Sequence, residues 1–428
     1  MEEDIYVYVH DLAARQSMRG LSAERGESTR FRDWIDRDGK LIFLEKTIRT
    51  VPYGFLGVIF GVYLAQLGFT PFAIGIVLTA TVLSSAVYTL IISFIADRIG
   101  RRKTLVFFAL TDFVAGTLLF VSKDWWAPVL AGIVGNMTVG AGEVGPFLSL
   151  ETAILPRTAR SDRRTLTFSV YNLVGYGASA AGALLAGLQN SVGYSPLFLG
   201  YMVSGLLGAA LYSNLSSRVE PDPGVARRSP LSPRGLPIVA RLSALFAVDA
   251  FGGGFIGQSI LSYYFYLRFG LDLSTLGAIF FATQLVTALS FLLAERIARR
   301  IGLLRTMVFT HVPSNVLLIA VAFAPTPLSA VSLLLCRQSL SQMDVPTRQS
   351  YVMSIVDEQD RTAAAGLTSA TRTFSSSVSP SLAGYALANL WLGTPLVAAG
   401  ALKLAYDLLI YRRFRRVRPP EEREVKAR

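Results

Sequence analysis

Charged and strongly polar side chains interrupt the apolar stretches of this chain at a few places: Asp112, Glu143, Asn172, Asp249, His311, Arg337, Asp344, Arg372, Lys403 and Asp407. An acid held among apolar side chains can take up and release a proton, and a guanidinium there can meet the carboxylate of a ligand. On one continuous helix Arg337 and Asp344, seven residues apart, share a side, so they can bind a ligand or bind each other. Lys403 and Asp407 stand four apart, the spacing of a local ion pair. His311, which opens the polar run 311–315, reads as structural. For each of these residues the plain alternative is an ion pair or hydrogen bond between helices. Covalent and hydrolytic chemistry have no carrier here. The chain has two histidines, His10 and His311, one cysteine, Cys336, no His-Glu-x-x-His pattern and no phosphate loop ending in Gly-Lys-Ser/Thr, so no enzyme activity, cofactor or metal site is expected.

Residues of this kind need elements that hold them at depth. Of the 428 residues, 52% are hydrophobic and 16% charged, and mean hydropathy is +0.46, more apolar than a water-soluble core of this length needs. Runs of about twenty apolar residues cross roughly 30 Å of hydrocarbon at 1.5 Å per helical residue. They fall at 48–67, 73–96, 103–121, 127–150, 165–188, 196–215, 238–267, 275–294, 303–323, 328–350, 362–389 and 394–411. Continuous rather than alternating runs select helices over a barrel. The expectation is an all-α membrane protein with twelve transmembrane helices. Gly252, Gly253 and Gly254 would let span seven bend or pack closely, and Tyr263, Tyr264 and Tyr266 read as an interfacial belt first and cavity lining second.

The net charge of +12 follows the loops. Basic residues collect after spans two (Arg98, Arg101, Arg102, Lys103), four, six and eight, flank the loop after span ten (Arg348, Arg361), and open the tail from Arg412. The loops between carry only Lys123 and Arg268. By the positive-inside rule the basic loops and both termini face the cytoplasm, with the protein in the plasma membrane. A nucleic-acid partner would need a basic surface on a soluble domain, and none is visible. The organisation reads as an N-terminal cytoplasmic extension (1–45), a first six-helix bundle (46–215), a proline-rich linker (216–237), a second bundle (238–411) and a basic tail (412–428).

The two bundles repeat each other. Ala96-Asp97-Arg98-Ile99-Gly100-Arg101-Arg102 matches Ala294-Glu295-Arg296-Ile297-Ala298-Arg299-Arg300, and Gly68 and Gly75 match Gly270 and Gly277. Glu143-Val144-Gly145-Pro146 similarly matches Asp344-Val345-Pro346, and Asn172 matches Arg372. Repeated halves place a solute site at their interface near the midplane.

Asp97-Arg98-Ile99-Gly100-Arg101-Arg102-Lys103 resembles the signature loop of the major facilitator superfamily, with Ser93 where the family usually has a glycine. The resemblance covers nearly the whole chain. It implies two six-helix bundles in the family fold, alternating access and gradient-driven movement of a small solute. It also implies a latch that closes the cytoplasmic side, formed by Asp97, Arg98, Gly100, Arg101 and Arg102, with Glu295, Arg296, Arg299 and Arg300 as the second-half counterpart and Glu151 as partner to an arginine. Family architecture lines the cavity with spans one, four, seven and ten, backed by two, five, eight and eleven. That singles out Glu143, Asn172, Asp249, Arg337, Asp344 and Arg372 as the substrate and proton cavity. The expected function is proton-coupled export of small organic or toxic compounds by a monomer in the lipid bilayer. Uptake or facilitated passage of an anionic metabolite is the alternative, and a non-transporting receptor or scaffold the third reading.

Overall fold

A computed structural model describes residues 35–137, 145–159, 164–220, 231–357 and 360–417; Glu143 and the side chains of Asp97, Glu295 and Arg299 lie outside the described residues. The first half holds α1 (Arg37–Gln66), α2 (Pro71–Ile99), α3 (Arg101–Val121), α4 (Trp126–Val134), α5 (Pro146–Thr158), α6 (Arg164–Leu185), the short α7 (Gln189–Val192) and α8 (Ser195–Ser213). The second holds α9 (Gly235–Gly254), α10 (Gln258–Phe269), α11 (Leu273–Ile301), α12 (Leu303–Phe323), α13 (Pro327–Ser341), α14 (Asp344–Ile355), α15 (Arg361–Asn389) and α16 (Thr394–Phe414).

Local chemistry sets these boundaries. The Asp36 side chain accepts from Gly39 N at 2.8 Å to start α1, Thr70 precedes Pro71 at the start of α2, and Asp272 accepts from Thr275 N at 3.0 Å to start α11. Gly100 (φ 107°) turns the chain between α2 and α3 in a single residue, and Gly302 (φ 92°) does the same between α11 and α12. A side chain at either place would be strained. Together with Gly68 (φ 88°) and Gly270 (φ 64°), they put the same turn device at equivalent places in both halves.

Among the described residues, eight helical stretches are long and apolar enough to cross a membrane. The twelve-span expectation exceeds this number at α4–α5, α6, α13–α14 and α15, the stretches that are short, glycine-rich or studded with serine and charge. Span ten is not one helix: α13 ends at Ser341 and α14 begins at Asp344, so the expected shared face for Arg337 and Asp344 is lost. Span seven breaks after Gly254, where a Cβ would lie 2.3 Å from the Ser376 carbonyl oxygen on α15, so bending and close packing occur together. Span one begins at Arg37 rather than at 48, which brings the end of the expected extension into the bundle. Glu45, Lys46 and Arg49 depress the hydropathy of those turns, but they are buried and partnered.

The distribution of polarity is inverted relative to a water-soluble protein. Asp112 (1% exposed), Glu151 (0%) and Asp407 (0%) are inside, while Phe107 (59%) and Leu408 (67%) are outside. An apolar exterior over an ionic interior suits lipid. The apolar core has three parts. One joins the halves, with Phe60, Leu64, Ile260, Leu276 and Leu387; the other two each stay within one half, at the end that carries the basic loops.

The hydrogen bonds between halves sit with the shared core. On α10, Ser259 donates to Gly57 O (3.0 Å) and Ser262 to Val58 O (2.8 Å); Ser381 N on α15 donates to Thr79 on α2 (2.9 Å). Further out, Gly75 and Gly384 face each other so closely that a Cβ on either would come within 2.5 Å of a backbone oxygen of the partner helix. The halves therefore close on each other at the end away from the basic loops.

Candidate functional site: two buried charge clusters

In the first half, charge gathers around Arg49 on α1. Its Nε is 3.0 Å from Glu45 Oε1, its Nη2 is 2.9 Å from Glu151 Oε2 on α5, and its guanidinium lies 4.1 Å from the Phe147 ring centre. Tyr212 on α8 donates to Glu45 (2.5 Å) and Glu151 (2.6 Å), Tyr171 on α6 also donates to Glu151, and Lys46 Nζ stands 4.1 Å over the Tyr171 ring. Nearby, Asp112 on α3 accepts from Tyr53 and Tyr201, each at 2.9 Å, and from Asn136 N at 3.0 Å. Each carboxylate is thus met by several donors, as burial of charge requires.

The second half is built around Asp249 on α9. Lys403 on α16 is 2.6 Å away, Arg372 on α15 2.7 Å, Arg348 on α14 3.6 Å and His311 on α12 3.8 Å. Arg348 also pairs with Asp344. His311 Nδ1 is 2.8 Å from Asp407, whose other oxygen accepts from Asn315 at 2.9 Å. Five helices meet in this one constellation.

Asp249 and Arg49 are 200 residues apart, the offset of the sequence repeat. The same site in the two halves therefore holds an acid in one and a base in the other. Each cluster clamps helices of its own half.

The sequence-derived residues divide accordingly. Asp249, Arg372 and Asp344 come together. Arg337 does not join Asp344: its Nη1 donates to Gln338 Oε1 at 2.5 Å. Asn172 is half-buried on α6 and belongs to neither cluster. Lys403 and Asp407 are not a local pair, because Asp249 and His311 claim them across helices. Arg348 does not flank a loop; it is buried within α14. The tyrosines expected as an interfacial belt are inside: Tyr263 and Tyr264 are buried, and Tyr264 bonds with Arg268.

Glu151 binds the buried Arg49 rather than an arginine of the loop. At the loop itself the acid in view is Glu220, which follows α8. Its carboxylate accepts from Arg101 N (2.6 Å) and Arg102 N (3.2 Å), capping α3, while the Arg102 and Arg157 side chains hold the carbonyls of Leu215 (3.0 Å) and Glu220 (2.8 Å). Arg98 at the end of α2 and Arg296 and Arg300 at the end of α11 are all exposed. Sequence reading missed Glu45, Arg49 and Glu220. The i, i+4 spacing of Glu45 and Arg49 was the available signal.

Comparison with known proteins agrees with this architecture. A family model for the Major Facilitator Superfamily matches residues 47–380. An uncharacterised membrane protein of Saccharomyces cerevisiae is 26% identical over 418 residues, spanning 87% of this chain and 93% of that one. Among solved structures, the human organic anion transporter MFSD10 superposes with a TM-score of 0.66 at 14% identity, over 87% of this chain and 99% of that one. The nucleoside transporter NupG gives a TM-score of 0.66 at 12% identity, over 89% and 99%. A peptide transporter of the POT family gives 0.70 at 12%, over 90% and 98%. At such identities the solved structures speak for the fold, and the family model speaks for descent. With eight membrane-length helices among its described residues, pseudo-symmetric halves and ionic cores, this chain is a multi-pass membrane transport protein and belongs to the major facilitator superfamily.

Proposed function

We propose that the chain moves a small solute across the plasma membrane by alternating access, in exchange for protons, and that it works as an exporter of small organic or toxic compounds. The observation that carries this reading is the asymmetric seam: one shared core and a set of inter-half hydrogen bonds at one end, and two separate cores at the basic end. A cavity open toward the basic loops is the loading state of an exporter when those loops and both termini are cytoplasmic. Rocking the halves would exchange one closed end for the other, with the loop of Asp97, Arg98, Gly100, Arg101 and Arg102 and its counterpart of Glu295, Arg296, Arg299 and Arg300 drawn together as the latch.

Proton coupling is assigned to the second-half cluster. His311 lies between Asp407 and Asp249, and Asp249 also holds Lys403 and Arg372. A proton gained at His311 would redistribute charge among helices α9, α12, α15 and α16. The test is flux. In inside-out vesicles with an imposed pH gradient, an exported solute should alkalinise the lumen in a manner lost with His311→Gln. Solute accumulation that ignores the gradient would leave transport but remove coupling.

A further inference from the structure

We infer that Arg337 is the recognition residue for a carboxylate-bearing solute, so that the transported compound is an organic anion. The inference rests on the transport reading and names its substrate class.

Arg337 is 6% exposed, yet among the described residues its side chain makes a single hydrogen bond, to Gln338 Oε1, and its buried Nε has no partner. A guanidinium offers five N–H donors, and leaving it without an anion in a low-dielectric interior is costly. The acids whose fields reach it, Asp249 and Asp344, are committed elsewhere: Asp344 to Arg348, Asp249 to Lys403 and Arg372. Among the described residues, Asp249 pairs with Lys403, Arg372 and Arg348, Asp344 with Arg348, and Asp407 with His311, while Arg337 bonds only to Gln338. Among these same residues, Arg337 is the buried base without an acid.

Polar side chains connect it to the seam. Gln338 donates to Thr287 on α11 at 3.2 Å; one turn away on the same face Gln284 donates to Gln258 at 2.8 Å, and Gln258 reaches Gly54 O on α1 at 3.3 Å. This row of amides leads from Arg337 to the seam between the halves. Ten residues into α13, Arg337 sits about 15 Å from the start of that helix, near the middle of a roughly 30 Å hydrocarbon layer. A lipid headgroup phosphate does not reach that depth. The planar fork of a guanidinium fits a carboxylate through two parallel hydrogen bonds.

The experiment uses the full chain in neutral detergent and reads the unfolding temperature. Without organic anions, Arg337→Gln should melt a few degrees above the wild type, because it removes an uncompensated charge. Sodium benzoate or sodium succinate, each against sodium chloride at equal ionic strength, should then raise the wild-type midpoint and leave that of Arg337→Gln unchanged. Arg337→Gln melting below the wild type would show that the chain itself satisfies the guanidinium, and would overturn the inference. Failure of both carboxylates to stabilise the wild type, or stabilisation by inorganic phosphate alone, would overturn it as well. Binding is read here without flux, so a negative result leaves the transport reading standing.

Discussion

Asp249→Asn removes the one negative charge that Lys403, Arg372, Arg348 and His311 all face, at 2.6, 2.7, 3.6 and 3.8 Å. The substitution keeps the shape and a hydrogen-bonding group but leaves cations crowded in an apolar interior. Removing one partner of a buried pair costs about 3–5 kcal/mol. At about 2–4 °C per kcal/mol for a unit of 150–250 residues, the unfolding midpoint should fall by roughly 6–20 °C. Thermal unfolding of the purified protein in neutral detergent reads this directly. Lys403→Met alone should also destabilise, but adding it to Asp249→Asn should restore part of the loss, with a coupling of about 1–3 kcal/mol in a double-mutant cycle. A wild-type midpoint for Asp249→Asn, or strict additivity of the pair, would refute the claim that Asp249 is the hub of the second half.

The seam, the loop and the first-half cluster give three further expectations. Gly384→Val places a Cβ where only 2.5 Å separates it from Pro71 O, so it should wedge the halves apart at the closed end and make a cysteine placed at Thr79 accessible to a membrane-impermeant maleimide; unchanged labelling would contradict the close packing. Glu220→Ala removes the cap on α3, so helix stability should drop by about 0.5–2 kcal/mol with insertion intact, read as a modest loss in midpoint. Arg49→Met strands Glu45 and Glu151, and should cost about 3–5 kcal/mol, whereas Glu151→Gln paired with Arg49→Met should cost less than Arg49→Met alone; the cycle of midpoints checks this.

Hydropathy and loop charge make the helical membrane class readable, because both depend on residue type summed over long windows, whereas the repeat is readable from short matched segments that keep their order. Gly68 and Gly270 were visible as matching residues, and their left-handed turns explain why glycine stands at both. Contacts between distant spans were harder to read. Lys403 and Asp407 look like partners at four residues' spacing, but the helix face they share points at α9 and α12, where Asp249 and His311 offer better-buried charges. Arg337 and Asp344 share a side only on an unbroken helix, and the break at Gln342 and Met343 removes that condition. Glu45 and Arg49 were hidden for a different reason: the charges that stabilise the first cluster are the same ones that made the start of α1 look like a water-exposed extension.

The central claim is that the two halves rock about their seam, opening one end as the other closes. Spin labels can be placed across the basic end at Arg98 and Arg300, and across the opposite end at Thr70 and Asn389, in a Cys336→Ser background. Distance distributions from pulsed electron resonance are then recorded in nanodiscs as pH is stepped across the histidine range, about 5 to 8. The account predicts opposite changes, with the Arg98–Arg300 distances shortening in the same conditions that lengthen Thr70–Asn389. Two distributions that stay fixed, or that move together, would contradict it.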